Sequence, residues 1–343
     1  MTDFAFTLKK LFEGQNLSSH EAEKAMMEIM SGMVSDIKLS AWLTALRLKG
    51  ETAEEISGCA KAMNLHSLKV KCNAPDLVDI VGTGGDGAKT FNISTAAAFV
   101  IAGAGITVAK HGNRAVSSKS GAADVLTQLN INIEIDVSAM EECLNKTGIS
   151  FLFAQKLHPA MKYAMPVRKE LAARTIFNVL GPLCNPALPK RMVIGVYDKK
   201  LCSIIADAAL QMGKQHVLVV HGNDGMDEIS TVTTTHICEL VDNKILEYEF
   251  SPEEYGIKQA CPLGIQGGTP SENGILIKSI FEGTEQGAPR DIVALNAAAG
   301  ILVSGKAENW QDAITIAYET IASGKALNKL KQLIRASNDL SGL

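Results

Sequence analysis

Residues 79–95 read DIVGTGGDGAKTFNIST, a stretch in which a mostly apolar run enters four glycines and then a series of short polar side chains. The run ending at Val81 is typical of a buried strand, and the alanine-rich run after Thr95 predicts a helix. Because glycine has no Cβ, backbone N–H groups in such a turn can point at an anion, and the N-terminus of the next helix also attracts phosphate. The stretch therefore predicts a strand–turn–helix unit that binds phosphate.

Two nucleotide-binding motifs come close to this turn without matching it. A Walker loop, GxxxxGK[ST], fails because Ala88 intrudes before the lysine. The dinucleotide motif GxGxxG fits Gly82, Gly84 and Gly87, but it requires an acidic residue at the end of the next strand, where Lys110 stands. A cation at that place favours phosphate over a ribose diol. The alternative is a tight turn without a ligand, which would not need so many glycines and polar neighbours.

Strand and helix patterns alternate through the centre of the chain. Strands are predicted at 77–81, 106–109, 149–153, 192–197 and 216–221, with helices between them at 94–102, 122–129, 138–146 and 201–212. Such alternation predicts an α/β fold with a mainly parallel sheet and helices on both faces. Residues 232–250 predict an antiparallel hairpin turning at Asp242-Asn243, and further helices are predicted at 291–304 and 309–323.

The first seventy residues have only helical patterns. Two capping boxes, Ser18-x-x-Glu21 and Thr52-x-x-Glu55, each precede apolar residues at helical spacing, and Gly50 is a plausible helix end between them. We therefore predict a small helical domain over residues 1–72.

The α/β domain is then expected over residues 73–343. One segment within it, 164–186, interrupts the alternation and ends in a rigid turn that contains Gly181-Pro182 and Pro186. We expect this segment to cross back and pack against the helical domain.

Composition and charge narrow the class of protein. The chain is 46% hydrophobic and 20% charged, as in globular proteins, and its formal net charge of -4 argues against nucleic-acid binding. The N-terminus lacks a signal-peptide pattern, and the most apolar run, 96–109, is too short to span a membrane. Seven cysteines, an odd number without CxxC spacing, argue against a disulfide framework or a zinc site. A cytoplasmic protein with no membrane contact is expected.

A second candidate anion loop follows the next predicted strand. It starts with Lys110-His111-Gly112-Asn113-Arg114 and runs through three serines and Lys119 to Gly121. Open α/β sheets bind ligands at the carboxyl ends of their strands, so two neighbouring strand ends with anion donors predict a polyanion that spans both. The alternative for this loop alone is a flexible, solvated connection.

Two further features are candidate ligand contacts. The adjacent carboxylates Asp227-Glu228 follow the strand at 216–221 and a glycine turn, a pattern that suits Mg²⁺ carried by a polyphosphate, although acidic turns without metal are common. Arg168 could grip a carboxylate with two hydrogen bonds, or be an ordinary surface cation on a helix. No Ser-His-Asp or Cys-His arrangement indicates covalent catalysis.

Five motifs in fixed order resemble the anthranilate phosphoribosyltransferase family, and the resemblance runs the whole length of the chain. They are Gly-Thr-Gly-Gly-Asp at 82–86, Lys-His-Gly-Asn-Arg at 110–114, His-Pro-Ala-Met-Lys at 158–162, Arg-Thr-Ile-Phe-Asn-x-Leu-Gly-Pro-Leu-x-Asn-Pro at 174–186 and Asp-Gly-x-Asp-Glu at 224–228. The resemblance implies a homodimer joined through the helical domain, and transfer of phosphoribose from phosphoribosyl pyrophosphate to anthranilate, an early step of tryptophan biosynthesis.

The resemblance also implies roles for individual residues. Phosphoribosyl pyrophosphate would be bound by Gly82, Gly85, Asp86, Thr90, Asn92, Ile93, Ser94, Thr95, Lys110, His111, Gly112, Asn113, Arg114, Ala115, Val116, Ser117, Ser118 and Ala122. Anthranilate would contact Gly82, Asn113 and Arg168, with His111 and His158 near its path. Magnesium would be held by Ser94, Asp227 and Glu228.

The implied chemistry is displacement at the anomeric carbon through an oxocarbenium-like transition state, with pyrophosphate leaving. The attacking aromatic amine is neutral at pH 7, so no general base is assigned. Two alternatives stay open at this stage. One is a pyrimidine nucleoside phosphorylase, a relative of the same fold that uses free phosphate and would not need Asp227-Glu228. The other is a non-catalytic paralogue that binds nucleic acid, against which the negative charge and the intact acidic pair argue.

Overall fold

The computed structural model describes residues 4–115 and 119–340. Four helices come first: α1 (Phe4–Phe12), α2 (Ser19–Met30), α3 (Asp36–Lys49) and α4 (Ala53–Leu65). Both predicted capping boxes form, because the side chains of Ser18 and Thr52 accept from the backbone N–H groups of Glu21 and Glu55. Gly50 ends α3 with a φ of 88°, a left-handed conformation that favours glycine.

Seven strands form one sheet: β1 (Val78–Gly82), β2 (Val108–Gly112), β3 (Ile149–Phe153), β4 (Arg191–Gly195), β5 (His216–Gly222), β6 (Thr235–Val241) and β7 (Lys244–Phe250). Their order is β3-β2-β1-β4-β5-β6-β7; the first five are parallel, and β6 and β7 run antiparallel. The predicted fold class is confirmed. Because β1 lies between β2 and β4, with β5 next, the glycine turn, the second loop and the acidic turn all leave the same edge of the sheet.

Eleven further helices lie within the described residues: α5 (Ile93–Gly103), α6 (Ala122–Gln128), α7 (Val137–Thr147), α8 (Ala154–Leu157), α9 (Met165–Leu171), α10 (Ile176–Leu180), α11 (Leu201–Gln211), α12 (Pro270–Glu282), α13 (Ala288–Ser304), α14 (Trp310–Ala322) and α15 (Lys325–Asp339). The sequence patterns did not predict α12 or α15, although a capping box, Thr269 with Glu272, marks the start of α12. No helix in residues 4–115 and 119–340 combines the length and apolar character needed to cross a membrane.

One boundary differs from prediction in a way that bears on the site. The second strand was expected at 106–109, yet β2 runs from Val108 to Gly112 and pairs with β3 over its whole length. Lys110, His111 and Gly112 are therefore strand residues, not loop residues. Lys110 and His111 are buried. Polar side chains inside a central strand persist only when they find partners there, and both do so, as described below.

The buried apolar residues form two clusters, one on each face of the sheet. The first lies among the sheet, α5, α7 and α12–α15. The second joins α1–α4 to α11 and the other face of β4–β6, and it includes Phe177, Leu180 and Leu183 from the 164–186 segment. That segment thus packs against the N-terminal helices, and the backbone carbonyl of Leu183 accepts a hydrogen bond from Asn64 at 3.1 Å.

Candidate active site

The glycine turn has the backbone geometry that its sequence requires. Gly84, Gly85 and Gly87 have φ values of 67°, 73° and 77°, a region in which side chains are strained. The N–H of Gly84 donates to Oδ2 of Asp227 at 2.6 Å, and the N–H of Thr83 donates to the carbonyl of Gly195 at 2.9 Å. The turn is therefore held towards the ends of β4 and β5.

Glycine is also required where the acidic turn approaches the strands. A Cβ on Gly82 would lie 2.4 Å from Oδ2 of Asp227, and a Cβ on Gly195 would lie 1.6 Å from the carbonyl oxygen of Asp227. No side chain fits at either place. The two glycines, at the ends of neighbouring strands, leave room for Asp227 to reach the glycine turn.

Three carboxylates converge at this point: Asp86, Asp227 and Glu228. The N–H of Asp227 lies 3.4 Å from Oδ2 of Asp86, and Oε1 of Glu228 accepts from the N–H of Ser94 at 3.1 Å. Burial, reinforced by the Asp86 carboxylate, raises the pKa of Asp227 to about 7, and burial together with Asp227 raises the pKa of Glu228 to about 8.

Such crowding of like charges is unfavourable unless a cation lies among them. Magnesium accepts carboxylate oxygens together with water and substrate phosphates. The donor set of Asp86, Asp227 and Glu228, with the hydroxyl of Ser94 at the start of α5, therefore fits a magnesium ion. Asp86 was expected only as a contact to the sugar substrate, and its place in this carboxylate cluster is visible only in the fold.

Lys110 lies beneath the carboxylate cluster and does not project from a loop. Its Nζ donates to the carbonyl of Ile80 at 2.7 Å and lies 3.4 Å from Oγ of Ser94. Burial lowers the pKa of Lys110, an effect opposed by the nearby carboxylates of Asp79, Glu228 and Asp227. Its amino group therefore lies at the base of the candidate site, beside Ser94.

Asp79 is a buried polar residue to which sequence reasoning assigned no role. Its Oδ1 accepts from the N–H of His111 at 3.2 Å, and its Oδ2 accepts from Nδ2 of Asn185 at 2.8 Å. Burial raises the pKa of Asp79 to about 6. These bonds tie β1 to β2 and to the end of the 164–186 segment, so Asp79 holds the frame of the site.

The second loop is shaped by Asp124. Its Oδ2 accepts from the N–H groups of Ala115 and Gly121 at 2.9 and 3.0 Å, while its Oδ1 lies 3.3 Å from the guanidinium of Arg114. Arg114 also reaches Glu134 at 3.5 Å, so two carboxylates already neighbour this candidate phosphate contact. Val116, Ser117 and Ser118 lie outside the described residues.

Asn92 connects the glycine turn to the second loop. Its Nδ2 donates to the carbonyl of Ser120 at 3.1 Å, and its Oδ1 accepts from Nδ2 of Asn273 on α12 at 3.0 Å. Ile93 and Thr95, also expected as contacts, are buried in the first turn of α5. Only their backbone groups could face a ligand there. Ala122 begins α6 and Thr90 forms a bridge to Gln266.

Two histidines form a buried pair beside this site. Nε2 of His111 lies 3.3 Å from Nε2 of His158, a distance at which one neutral ring can donate to the other. Burial lowers the pKa of His111 to about 3, reinforced by His158, and burial with the nearby Lys69 lowers that of His158 to about 4. Both imidazoles are therefore neutral at pH 7, and neither adds a positive charge.

Arg168 lies half-buried on α9. Its guanidinium stacks over the ring of Phe177 at 5.1 Å, and its Nη1 lies 4.0 Å from the sulfur of Met165. Both contacts are within the 164–186 segment, so they fix the side chain without neutralising its charge. Burial lowers its pKa. Asn113 was also expected to contact anthranilate, and its Oδ1 accepts from Nε2 of Gln155 at 3.1 Å.

Arg174 is a site residue that sequence reasoning did not single out. Its guanidinium donates to the carbonyl of Gly85 and stacks on the ring of Tyr197 at 4.0 Å. The N–H of Tyr197 in turn donates to Oγ1 of Thr83 at 3.2 Å. Arg174 thus links the 164–186 segment to the glycine turn. Its position at the start of the Arg-Thr-Ile-Phe motif was the signal available in the sequence.

Comparison with protein-family models matches the two parts of the chain to two known domains. A model described as the helical bundle domain of a glycosyl transferase family matches residues 7–67, and the a/b domain of the same description matches residues 74–327. The N-terminal helices and the α/β part of the chain are thus the two domains of a glycosyl transferase family.

Curated relatives narrow this class. Anthranilate phosphoribosyltransferases from Acetivibrio thermocellus and Petrotoga mobilis are each 48% identical, over 331 and 338 residues, covering 96% and 98% of both chains. The crystal structure of the enzyme of that name from Thermus thermophilus superposes with a TM-score of 0.92 at 39% identity, covering 97% of this chain and 99% of the other. The structure of the Saccharomyces cerevisiae enzyme in complex with phosphoribosyl pyrophosphate and Mg superposes with a TM-score of 0.89 at 31% identity, covering 98% of each chain. This chain belongs to the anthranilate phosphoribosyltransferase family, and the resemblance carried by its motifs is confirmed.

Proposed function

We propose that this chain transfers the phosphoribosyl group of 5-phosphoribosyl 1-pyrophosphate to the amine of anthranilate, giving N-(5-phosphoribosyl)anthranilate and pyrophosphate, as a step of tryptophan biosynthesis. The observation that carries the proposal is the half-buried cluster of Asp86, Asp227 and Glu228 against the glycine turn. Three crowded carboxylates favour a substrate that arrives with a divalent cation, which a pyrophosphate ester does.

The phosphoribosyl pyrophosphate site proposed here follows the two loops. The glycine turn and the start of α5 lie at the same edge of the sheet as the second loop, so a polyanion could contact both. The contacts assigned are Gly82, Gly85, Asp86, Thr90, Asn92, Ile93, Ser94, Thr95, Lys110 through Ser118, and Ala122. Of these, Lys110 would act from beneath, as a buried positive charge.

Magnesium would be held by Asp227, Glu228 and Ser94, with Asp86 beside them. When bound, the ion supplies positive charge where the leaving pyrophosphate accumulates negative charge. The Saccharomyces cerevisiae relative was solved in complex with phosphoribosyl pyrophosphate and Mg, which supports the same use of the ion here. The convergence of Asp86, Asp227 and Glu228, which raises the pKa values of Asp227 and Glu228, provides the argument from this chain.

The second substrate would enter between the sheet and the 164–186 segment. Arg168 is fixed by Phe177 and keeps its charge free for a carboxylate, and Asn113 lies at the start of the second loop. Holding the anthranilate ring by its carboxylate leaves the amine to point at the anomeric carbon. Positioning of the two reactants can supply several kcal/mol of the barrier reduction, on the order of 7–11 for well-oriented pairs.

Loss of the amine proton of anthranilate does not require a general base on the protein. The aromatic amine is neutral and becomes acidic only as the new C–N bond forms. The His111–His158 pair is neutral, and no general base is assigned. The transition state carries positive charge at the ribose, which the nearby carboxylates and pyrophosphate favour.

We further propose that residues 1–72, with the 164–186 segment packed against them, act as one unit and the remainder of residues 73–343 as the other, with the reaction between them. Phe177, Leu180 and Leu183 of the 164–186 segment pack into the same apolar cluster as the N-terminal helices, which supports grouping them, and α11 and one face of β4–β6 complete the cluster from the other unit. Arg174 would couple the two units, since it extends from one to the carbonyl of Gly85 in the other.

A homodimer through the helical domain is also proposed. Phe12, Ile37 and Leu48 on α1 and α3 are 67%, 83% and 82% exposed, and Phe12 and Leu48 line a groove of about 470 Å³. Large apolar side chains exposed together favour burial against a second copy. Leu48→Glu should convert the dimer to a monomer in sedimentation experiments, and a wild-type chain that sediments as a monomer would contradict the proposal.

The test of the activity is direct. The purified chain is mixed with anthranilate, phosphoribosyl pyrophosphate and Mg²⁺, and the loss of anthranilate is followed. Parallel reactions contain phosphate and a pyrimidine nucleoside in place of these substrates. Consumption of anthranilate that needs all three components supports the transferase. Phosphorolysis of the nucleoside without loss of anthranilate would favour the phosphorylase reading, and neither reaction would favour a non-catalytic relative.

A further inference from the structure

A second cluster of metal-ligating side chains lies on the antiparallel hairpin β6–β7, and it shares no residue with the carboxylate cluster. We propose that His236, Cys238 and Glu247 bind a transition-metal ion of the Zn²⁺ class through one imidazole nitrogen, one thiolate and one carboxylate oxygen. The ligand atoms of these three residues all lie within 4.8 Å of one another.

The register of the hairpin explains why these residues meet. His236 and Cys238 are two positions apart on β6, so they point to the same face of the sheet. Cys238 lies directly opposite Glu247 on β7, and His236 lies opposite Glu249. Directly opposed residues of an antiparallel pair have neighbouring side chains. Four potential ligand groups therefore share one face.

The distances match those of a tetrahedral site. Nε2 of His236 lies 3.3 Å from Oε1 of Glu247 and 3.8 Å from Sγ of Cys238. Tetrahedral Zn²⁺ with ordinary bond lengths separates a nitrogen and an oxygen ligand by about 3.3 Å, and a nitrogen and a sulfur ligand by about 3.6 Å. These two distances are thus within a few tenths of an ångström of those in a tetrahedral complex, and the third, from the sulfur of Cys238 to the carboxylate of Glu247, is below 4.8 Å.

The surroundings orient the ligands in the manner of a metal site. Nδ1 of His236 lies 3.1 Å from Oε1 of Glu249, which leaves Nε2 free to act as the ligand, and a carboxylate behind a metal-binding imidazole is the usual arrangement. Glu249 is itself held by Lys199 and by Asn223, each at 2.8 Å.

Burial and ligand type distinguish this site from the first. His236 and Cys238 are buried, whereas the side chain of Glu247 is 62% exposed, so an ion could enter from the β7 side and keep a water as its fourth ligand. Sulfur and imidazole select Zn²⁺ over Mg²⁺, which prefers oxygen. Binding would release the thiol proton of Cys238 to solvent as the sulfur–metal bond forms.

Cobalt(II) is the probe for this site, because a tetrahedral thiolate complex of cobalt absorbs strongly in the visible and near ultraviolet. The full chain, freed of metal with a chelator, is titrated with Co²⁺ in excess Mg²⁺ so that oxygen-only sites are filled. We expect one equivalent of cobalt to produce a sulfur-to-metal charge-transfer band and intense visible bands, and one equivalent of Zn²⁺ to remove them.

Substitutions separate a built site from adventitious thiol binding. Cys238→Ser should abolish the charge-transfer band, and Glu249→Gln, on an exposed side chain, should weaken cobalt binding about 10- to 100-fold. Cys261→Ser removes an exposed cysteine outside the cluster and should leave the titration unchanged. Thermal unfolding of each metal-free variant shows that it is folded.

The proposal is overturned if cobalt gives only the weak bands of an octahedral oxygen complex. It is equally overturned if the charge-transfer band survives Cys238→Ser or disappears with Cys261→Ser. Should Cys238→Ser not fold, Glu247→Gln decides the matter, since its exposed side chain is dispensable for folding and its loss must weaken cobalt binding. The transferase assay does not enter this test, so the two proposals fail separately.

Discussion

Asp227→Asn should make the metal-free protein more stable at pH 8 and at the same time abolish its response to magnesium. The Asp227 carboxylate is half-buried beside Asp86, and its burial together with the Asp86 charge raises its pKa from 3.8 to about 7. Between these values the folded state binds more protons than the unfolded state, so the folded state loses stability as the pH rises through this window. An asparagine does not titrate and escapes that loss.

The size of the effect follows from the shift. A shift of about 3 pH units would correspond to about 4 kcal/mol if it acted alone. The side chain is partly exposed, which screens its charge, and asparagine exchanges an ionic hydrogen bond from the Gly84 N–H for a neutral one. We therefore expect a gain of about 1–2 kcal/mol in the free energy of unfolding at pH 8, and almost none at pH 4.

Chemical denaturation in the presence of a chelator, at pH 4 and pH 8, measures this difference. Asp198→Asn is the matched control, since its exposed carboxylate also accepts one backbone N–H, from Lys200 at 3.0 Å. Added Mg²⁺ should stabilise the wild type, by about 2.7 kcal/mol at a hundredfold excess over its dissociation constant, and leave the variant unchanged. A variant that is less stable than the wild type at pH 8 without metal would refute the crowding argument.

Three further predictions concern substrate and loop contacts. Arg168→Ala should raise the KM for anthranilate roughly 10- to 100-fold, which is the cost of losing a charged hydrogen bond, and change the KM for phosphoribosyl pyrophosphate by no more than about twofold. Lys169→Ala, at an exposed position, is the control. An equal rise of both KM values in steady-state kinetics would contradict the role assigned to Arg168. Arg174→Ala should lower kcat/KM for phosphoribosyl pyrophosphate about 5- to 10-fold, because the carbonyl of Gly85 loses its donor, and Arg174→Lys should restore only part of this; unchanged kinetics would remove Arg174 from the site. Gly195→Ala should lower the free energy of unfolding by about 1–3 kcal/mol, measured by chemical denaturation, and weaken Mg²⁺ binding, because its Cβ would occupy the place of the Asp227 carbonyl. Gly181→Ala is the control: a Cβ there meets open space, so neither stability nor Mg²⁺ binding should change.

The alternation of strand and helix patterns was enough to predict the α/β class and the hairpin, because hydrophobic periodicity reflects which face of each element is buried. It failed at the end of β2. Lys110, His111 and Gly112 have the composition of a loop, yet they pair with β3, and the partners that make their burial tolerable are Asp79 and the carbonyl of Ile80 on β1. Those partners come from about thirty residues away, and no local pattern contains them.

The candidate site likewise contains parts that the local sequence predicts and parts that only the fold brings together. The glycine turn and the acidic pair were each recognisable from local residue types, since each performs its task with consecutive residues. Their meeting depends on the strand order β2-β1-β4-β5, which only the fold specifies, and this order brings Asp86 to Asp227 across 141 positions of sequence. Arg174 could be found only once the 164–186 segment was seen to reach the carbonyl of Gly85.

The metal site proposed for His236, Cys238 and Glu247 is of a kind that a motif search would miss, because strand register brings its ligands together. Cysteine spacing argued against a zinc site, and that argument holds for motifs in which a short loop brings the ligands together. In β6–β7 the ligands come from positions i and i+2 of one strand and the opposed position of the next, so their sequence spacing is set by hairpin length. Shifting the register by one residue would move Glu247 to the other face. The turn at Asp242-Asn243, both with positive φ, therefore determines whether the three ligand atoms meet.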